Sequence, residues 1–99
     1  EGVSLEQADN ISPYKKVLVG EVKHYFSKPG VAEVFFGHRG LKINDRIIFE
    51  GNNTYSEQDV RSMEVEGEEI SKTKKGDVAG IKTENKVKKG DKVFIYIKK

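Results

Sequence analysis

The sequence predicts an all-β fold in which short antiparallel strands form a barrel or a sandwich. Apolar and polar residues alternate with a period of two in several segments, and clusters of Gly, Asn and Asp separate these segments at short spacing. A convincing long helical pattern is missing. Glycines lie where the alternation changes face, which indicates β-bulges, and small barrels need such bulges to close. The barrel is therefore favoured over the sandwich.

Length and composition indicate one small domain. The chain has 99 residues, of which 34% are charged and 35% hydrophobic, so the core must be modest and the strands one-sided. Cysteine is absent, which excludes disulfides, thiolate metal sites and thiol catalysis. Neither a signal-peptide pattern nor an apolar run of roughly 20 residues is found, so we expect a cytoplasmic protein without membrane contact.

Residues 1–13 differ from the rest because they have little apolar content and no alternation. They are predicted to be a flexible N-terminal arm or a cloning remnant, and residues 14–99 to be the β domain. The first strand, residues 14–26, changes apolar parity at Gly20, which predicts a bulge there. A Pro-Gly turn at residues 27–30 then leads into a partner strand at residues 31–36.

Further strands are predicted along the rest of the chain. Residues 41–51 contain a turn at Asn44-Asp45, residues 54–65 form one long extended stretch, and residues 66–69 form an acidic turn. The last strands are residues 78–83 and 92–98. A Lys-x-Asn/Gly-Asp pattern recurs at residues 42–45, 74–77 and 88–91. Asn or Gly tolerates the left-handed conformation and Asp can cap a nearby N–H, so one tight turn is predicted three times.

Five short motifs, in their order along the chain, carry a family resemblance. They are Val19-Gly20-Glu21-Val22, residues 40–47, residues 60–63, residues 76–81 and residues 89–93. The chain resembles the second-domain β-barrel of translational GTPases such as elongation factor Tu and initiation factor two. It looks closest to small free-standing members and to the C-terminal barrel of collagenase-like peptidases that act on RNA-modification pathways. The resemblance implies a closed six-stranded antiparallel Greek-key barrel. A Gly-x-x-x-x-Gly-Lys-Ser/Thr phosphate loop is missing, so no nucleotide is expected.

The basic residues are the best candidates for a binding site. Residues 71–99 carry ten lysines against three acids. The candidates are Lys72, Lys74, Lys75, Lys86, Lys88, Lys89 and Lys92, with His38 and Arg39 from a glycine-bracketed loop. A barrel could bring the lysines of residues 72–75 and 86–89 together, because both groups precede Gly-Asp turns. Lysines act as point charges and would bind phosphate without reading bases. The alternative is a solvated sheet edge protected by lysines. Outward aromatics could add stacking surfaces, although Phe26, Phe94 and Phe49 are expected in the core.

Catalytic chemistry has no support in the sequence. His24 and His38 lack partners at metal-ligand spacing, and the acids at residues 66–69 have no nucleophile nearby. We therefore expect no enzyme activity, cofactor or metal. The predicted function is a binding module that contacts ribosomal or transfer RNA. The alternative is a protein-interaction domain that docks to a larger translation factor or to an RNA-modifying enzyme of the collagenase-like peptidase family, through exposed residues such as Phe35 or Ile48.

Overall fold

The computed structural model of the protein describes residues 13–98, in which eight strands form one antiparallel sheet. The strands are β1 Tyr14–Phe26, β2 Val31–Phe35, β3 Arg46–Glu50, β4 Tyr55–Asp59, β5 Met63–Val65, β6 Glu68–Ile70, β7 Val78–Lys82 and β8 Lys92–Lys98. Their order across the sheet is β4-β3-β8-β1-β2-β7-β5-β6. The prediction of an N-terminal arm falls, apart from Pro13, outside the described residues.

The all-β antiparallel prediction is confirmed, but the closed six-stranded Greek-key barrel is wrong. The sheet has eight strands and ends at β4 and β6, which no ladder joins within residues 13–98. The long strand predicted at residues 54–65 is in fact β4 and β5, on opposite sides of the sheet. The break falls at Val60, whose N–H and C=O bond to Asp45 and Asn44 instead of a strand.

Strand β1 has the predicted bulge at Gly20, where the register with β8 shifts after Leu18. A Cβ atom at Gly20 would lie 2.0 Å from the carbonyl oxygen of Phe35, so a larger residue does not fit. A second shift, between Val22 and His24, was not predicted. It turns Phe26 outward, where 45% of its surface is exposed, and so corrects the expectation that Phe26 lies in the core.

The core lies on one face of the sheet. Phe36, Phe49 and Ile47 are its largest fully buried apolar members, together with inward residues of β1, β2, β7 and β8. Phe94, by contrast, is half-buried outside this cluster, against the expectation from sequence. Ile48 is completely buried, so its predicted role as an exposed docking residue is wrong.

A buried amide links the edge strand β4 to the end of β7 and the residues after it. Gln58 of β4 is 1% exposed, and its Nε2 donates to the Lys82 carbonyl at the end of β7 at 2.9 Å. Its Oε1 accepts from the Glu84 N–H, also at 2.9 Å. Because an unpaired buried polar group is costly, these bonds fix β4 against the chain that follows β7. The sheet thus encloses its core without pairing its edges.

The thrice-predicted turn is confirmed at residues 42–45, 74–77 and 88–91. In each turn the Asp carboxylate accepts a hydrogen bond from the backbone N–H of the first lysine, at 2.9, 2.9 and 2.8 Å. The third residue has a positive φ: 80° at Asn44, 95° at Gly76 and 93° at Gly90. This conformation is open mainly to Gly and Asn, which explains the Asn/Gly-Asp pattern.

Each turn is anchored to one buried residue by two backbone hydrogen bonds. Val60, Phe36 and Val22 each accept from the third turn residue and donate to the Asp carbonyl, at 2.7–2.9 Å. All three anchors are 0% exposed. The turns therefore fix the starts of β3, β7 and β8 and aim the lysines beside them outward.

A candidate basic groove

Two irregular segments pair to build the main basic surface. The Thr73 N–H donates to the Leu41 carbonyl at 2.8 Å, and the Leu41 N–H donates to the Thr73 hydroxyl at 2.9 Å. Gly40 permits this approach, because a Cβ there would lie 1.9 Å from the Thr73 carbonyl oxygen. The same pairing forms an antiparallel bridge between Lys42 and Lys72.

This pairing places positive charges side by side. Directly opposite residues of an antiparallel pair project to the same face, with Cβ atoms roughly 5 Å apart, and like charges there repel. Lys42 and Lys72 are both exposed. An anion between the two ammonium groups would relieve their repulsion, so the bridge favours an anionic ligand.

The surrounding depression has a volume of about 480 Å³. We call it the basic groove and define it by His38, Arg39, Lys42, Lys72, Lys74 and Lys75. Its one lining acid, Asp45, already accepts the Lys42 N–H in the turn. The groove therefore carries five permanent positive charges against one carboxylate.

The cations of the basic groove are unpaired within residues 13–98. Ion pairs in that part of the chain join Lys16 to Glu50, Arg46 to Glu57 and Asp59, Arg61 to Glu84, and Lys92 to Glu21. Arg39 instead donates from Nε to the carbonyl of the adjacent Gly40 at 3.3 Å. These charges stay available to a ligand, whereas Arg46 and Arg61 are held by carboxylates.

The other predicted lysines form a separate group, the second lysine loop, defined by Lys86, Lys88, Lys89 and Lys92. Lys88, Lys89 and Lys92 line a depression of about 520 Å³ together with Glu50 and Asp91. Lys92 also lies 3.9 Å from a Glu21 oxygen. Lys86 is exposed but lines neither depression. This surface has mixed charge, in contrast to the basic groove.

Five of the six residues that define the basic groove were candidates from the sequence, and one was missed. The expectation that residues 72–75 and 86–89 share one surface is wrong, because they line separate depressions. His38, Arg39, Lys72, Lys74 and Lys75 come together in the basic groove. Lys42 was missed, although it opens the first turn as Lys74 and Lys88 open the others. The repeated turn was the signal that could have identified it.

The groups with shifted pKa values lie outside the basic groove. A hydrogen bond to the Glu50 carboxylate raises the pKa of Lys16, and hydrogen bonds to Glu57 and Asp59 raise the pKa of Arg46. Burial raises the pKa of the Tyr96 hydroxyl, with the neighbouring Tyr55 adding to the effect. These shifts reflect ion pairs and packing on strands β1, β3, β4 and β8.

Residues 13–98 contain no group of three or more His, Cys, Asp or Glu side chains that could hold a metal ion. The same residues include no helix with the length and hydropathy needed to cross a membrane.

Comparison with known proteins gives one curated relative and a structural neighbour seen in two crystal structures. The chain is 36% identical over 87 residues to an uncharacterized protease of Methanocaldococcus jannaschii. The match covers 87% of this chain but 21% of that protein, so the chain spans about a fifth of its relative's length. No protein-family profile matches the chain.

The structural neighbour is the C-terminal domain of a Geobacillus thermoleovorans protein assigned to the U32 peptidases. The two structures align with TM-scores of 0.73 and 0.71, and the second is a selenomethionine variant. They cover 80% and 77% of this chain and 91% and 95% of that domain, at 17% and 18% identity. The shared fold supports the collagenase-like peptidase side of the sequence resemblance. The translation-factor side stays a prediction.

Proposed function

We propose that the chain is an accessory domain of the U32, or collagenase-like, peptidases and that it binds RNA without catalysing a reaction. Two observations support the first part. The archaeal relative is about five times longer than the matched region, and the structural neighbour is itself one domain of a larger protein. Both comparisons therefore relate this chain to one part of a peptidase-like protein.

The basic groove is the observation that supports RNA binding. It combines a like-charged cross-strand pair, Lys42 and Lys72, with three further cations that have no acidic partner in the described residues. Binding of a phosphate backbone neutralises such charges and releases counterions, which is the main source of sequence-independent affinity. Ribosomal and transfer RNA, the partners predicted from the sequence, both offer this backbone.

A binding role also fits the chemistry of the groove lining. The Thr73 hydroxyl is engaged with the Leu41 backbone, and Asp45 is engaged with the Lys42 N–H. General acid–base catalysis needs a positioned group that is free to exchange a proton with substrate. The purified domain should accordingly leave fluorogenic peptides intact, and hydrolysis that survives repurification would contradict the proposal.

The test of RNA binding is the salt dependence of affinity. We expect a labelled single-stranded oligoribonucleotide to bind with a log–log salt slope of up to about −3.5 when all five cations contact phosphates, at about −0.7 each. In the double variant Lys42→Gln/Lys72→Gln the slope should fall by about 1.4 in magnitude. Fluorescence anisotropy between low and physiological salt measures both values.

A matched control is the double variant Lys23→Gln/Lys28→Gln, which also removes two exposed charges. Lys28 lies in the β1–β2 turn, at the end of β2 opposite the basic groove. This variant should keep the wild-type slope. Equal slopes in all three proteins, or no binding at low salt, would contradict RNA binding through the groove.

A second candidate function is docking to another part of a peptidase or to a translation factor. It is favoured by Phe35 and Val78, which face each other across β2 and β7 and are 38% and 46% exposed. Addition of the remaining domains of a U32 peptidase in trans should then shift the NMR signals of both side chains. Unchanged signals at saturating partner would remove this candidate.

A further inference from the structure

A small depression adjoins the basic groove on the side of Phe35. It has a volume of about 130 Å³, and Leu18, Phe35, Gly37 and His38 contribute to its lining. His38 lines both this depression and the basic groove, so the two are adjacent. Gly20, Glu21 and Lys92 complete the lining, and the Lys92 ammonium lies 3.9 Å from a Glu21 carboxylate oxygen.

Strand β2 presents the Phe35 ring to solvent and the turn after β2 supports it. Phe36 fills the core with 0% exposure, so the alternation of the chain directs Phe35 to the opposite face. A Cβ atom at Gly37 would lie 3.0 Å from Phe35 Cε2, which shows that the ring rests close to the glycine backbone. The aromatic surface is thus held at the mouth of the depression by local packing.

We propose that the ligand of the basic groove is single-stranded RNA, with one base stacked on Phe35 beside His38 and the adjacent phosphates on the groove cations. This inference rests on the RNA-binding function proposed above. Proteins that bind single strands combine a positively charged groove with aromatic side chains on which bases stack. The bases of a duplex are paired and stacked on one another, so a duplex would meet only the cations.

The experiment compares the binding of three polyanions to wild type and to variants of two exposed phenylalanines. A labelled adenosine-rich single strand, an RNA duplex of equal length and inorganic polyphosphate are titrated into wild type, Phe35→Leu and Phe26→Leu at fixed low salt. Phe26 is the matched control, because it is also exposed but lies at the other end of the β1–β2 hairpin. Phe35→Leu should weaken binding of the single strand at least about fivefold and leave binding of polyphosphate unchanged. Phe26→Leu should change neither.

A second variant guards against a folding defect. Phe35→Tyr keeps an aromatic ring and should bind the single strand within about twofold of wild type. The amide NMR spectra of all variants should retain the wild-type dispersion. Weak binding by Phe35→Tyr in a folded protein would overturn stacking on this ring.

The outcomes separate this inference from the function on which it rests. If Phe35→Leu binds all three polyanions as wild type does, while Lys42→Gln/Lys72→Gln weakens them, RNA binding stands and base stacking is overturned. If duplex binds as tightly as single strand, the preference for single strands is overturned. If no polyanion binds and the NMR signals of Phe35 shift only on addition of peptidase domains, RNA binding and base stacking are both overturned, and protein docking replaces them.

Discussion

The basic groove and the second lysine loop use the same turn but present different surfaces. In each, a Lys-x-x-Asp turn is closed by an Asp carboxylate and anchored to a buried residue. The groove adds a second chain segment, whose Lys42 lies opposite Lys72, so charges of one sign accumulate. The second loop instead has Glu50 and Asp91 in its lining, and Glu21 lies near Lys92.

This difference shows that a cluster of lysines in the sequence is not by itself a binding site. Residues 72–75 contain three lysines and residues 86–92 contain four. What distinguishes the two groups is the non-local pairing of residues 41–43 with residues 71–73 and the carboxylates that each group meets. If the comparison is correct, changes to the pairing should affect RNA binding, and equal changes at the second loop should not.

The largest effect is expected from Gly40→Ala. The new Cβ would lie 1.9 Å from the Thr73 carbonyl oxygen, so the two walls of the groove must separate. We expect a loss of about 3 kcal/mol in the free energy of unfolding, together with weaker RNA binding. Urea denaturation and anisotropy measure these two quantities.

Gly90→Ala in the second lysine loop is the matched change. A Cβ at Gly90 meets no atom within 4 Å, and the cost there comes from its positive φ of 93°. We expect a loss of about 1–2 kcal/mol in the free energy of unfolding and an unchanged affinity for RNA. Greater loss of affinity in Gly90→Ala than in Gly40→Ala would reverse the comparison.

The next effect concerns the aspartates that close the turns. Asp91 is 5% exposed, and its carboxylate accepts the Lys88 N–H at 2.8 Å. Asp91→Ala should cost about 2 kcal/mol in the free energy of unfolding, because a hydrogen bond to a buried charged group is lost. Asp45→Ala, at a half-buried position, should cost less, about 1 kcal/mol. Thermal unfolding of both variants at pH 7 compares them, and equal costs would mean that burial does not matter here.

A third prediction compares the two lysine groups at equal charge. Lys72→Gln/Lys74→Gln/Lys75→Gln should weaken binding of a single-stranded oligoribonucleotide about tenfold at low salt. Lys86→Gln/Lys88→Gln/Lys89→Gln removes the same charge and should weaken it less than about threefold, through the long-range field alone. Similar losses would show that net charge, and not the groove, determines affinity.

The smallest effect concerns Lys16, a lysine that does have an acidic partner. Its pKa is raised by the Glu50 carboxylate, at 2.7 Å from Nζ, so the ion pair stabilises the fold while Lys16 is protonated. That contribution is present at neutral pH and is lost as the pH rises above about 10.4. Both side chains are about 40% exposed, so we expect the ion pair to contribute no more than about 0.5 kcal/mol to the free energy of unfolding.

The control for this pH effect is Lys16→Gln, which should lack the alkaline decrease in unfolding free energy relative to wild type. Lys72→Gln, by contrast, removes a lysine with no acidic partner among the described residues and should slightly raise stability at pH 7, because its repulsion with Lys42 is relieved. A loss of stability in Lys72→Gln as large as in Lys16→Gln would indicate a hidden partner in the groove.

Local features of the fold could be predicted from the sequence. The bulge at Gly20, the outward direction of Phe35 and the three Asp-closed turns all depend on residues within a few positions of one another. Alternation and turn chemistry report such short-range geometry directly.

Non-local features could not be predicted. The opposition of Lys42 and Lys72 depends on a pairing across 30 residues, and the bridge by Gln58 puts a polar side chain where periodicity looks for an apolar one. Closure of the barrel was predicted from the bulge signals and the resemblance, but Val60 leaves the strand to anchor a turn, and the sheet stays open. Periodicity contains no information on such long-range partners.

Amide chemical-shift mapping during titration with a short single-stranded oligoribonucleotide tests the groove most directly. At low salt, we expect the largest shifts at residues 38–42 and 71–75, with smaller shifts at residues 86–92, and all of them should reverse on addition of salt. Shifts concentrated at residues 86–92, or none at saturating RNA, would contradict the assignment of RNA binding to the basic groove.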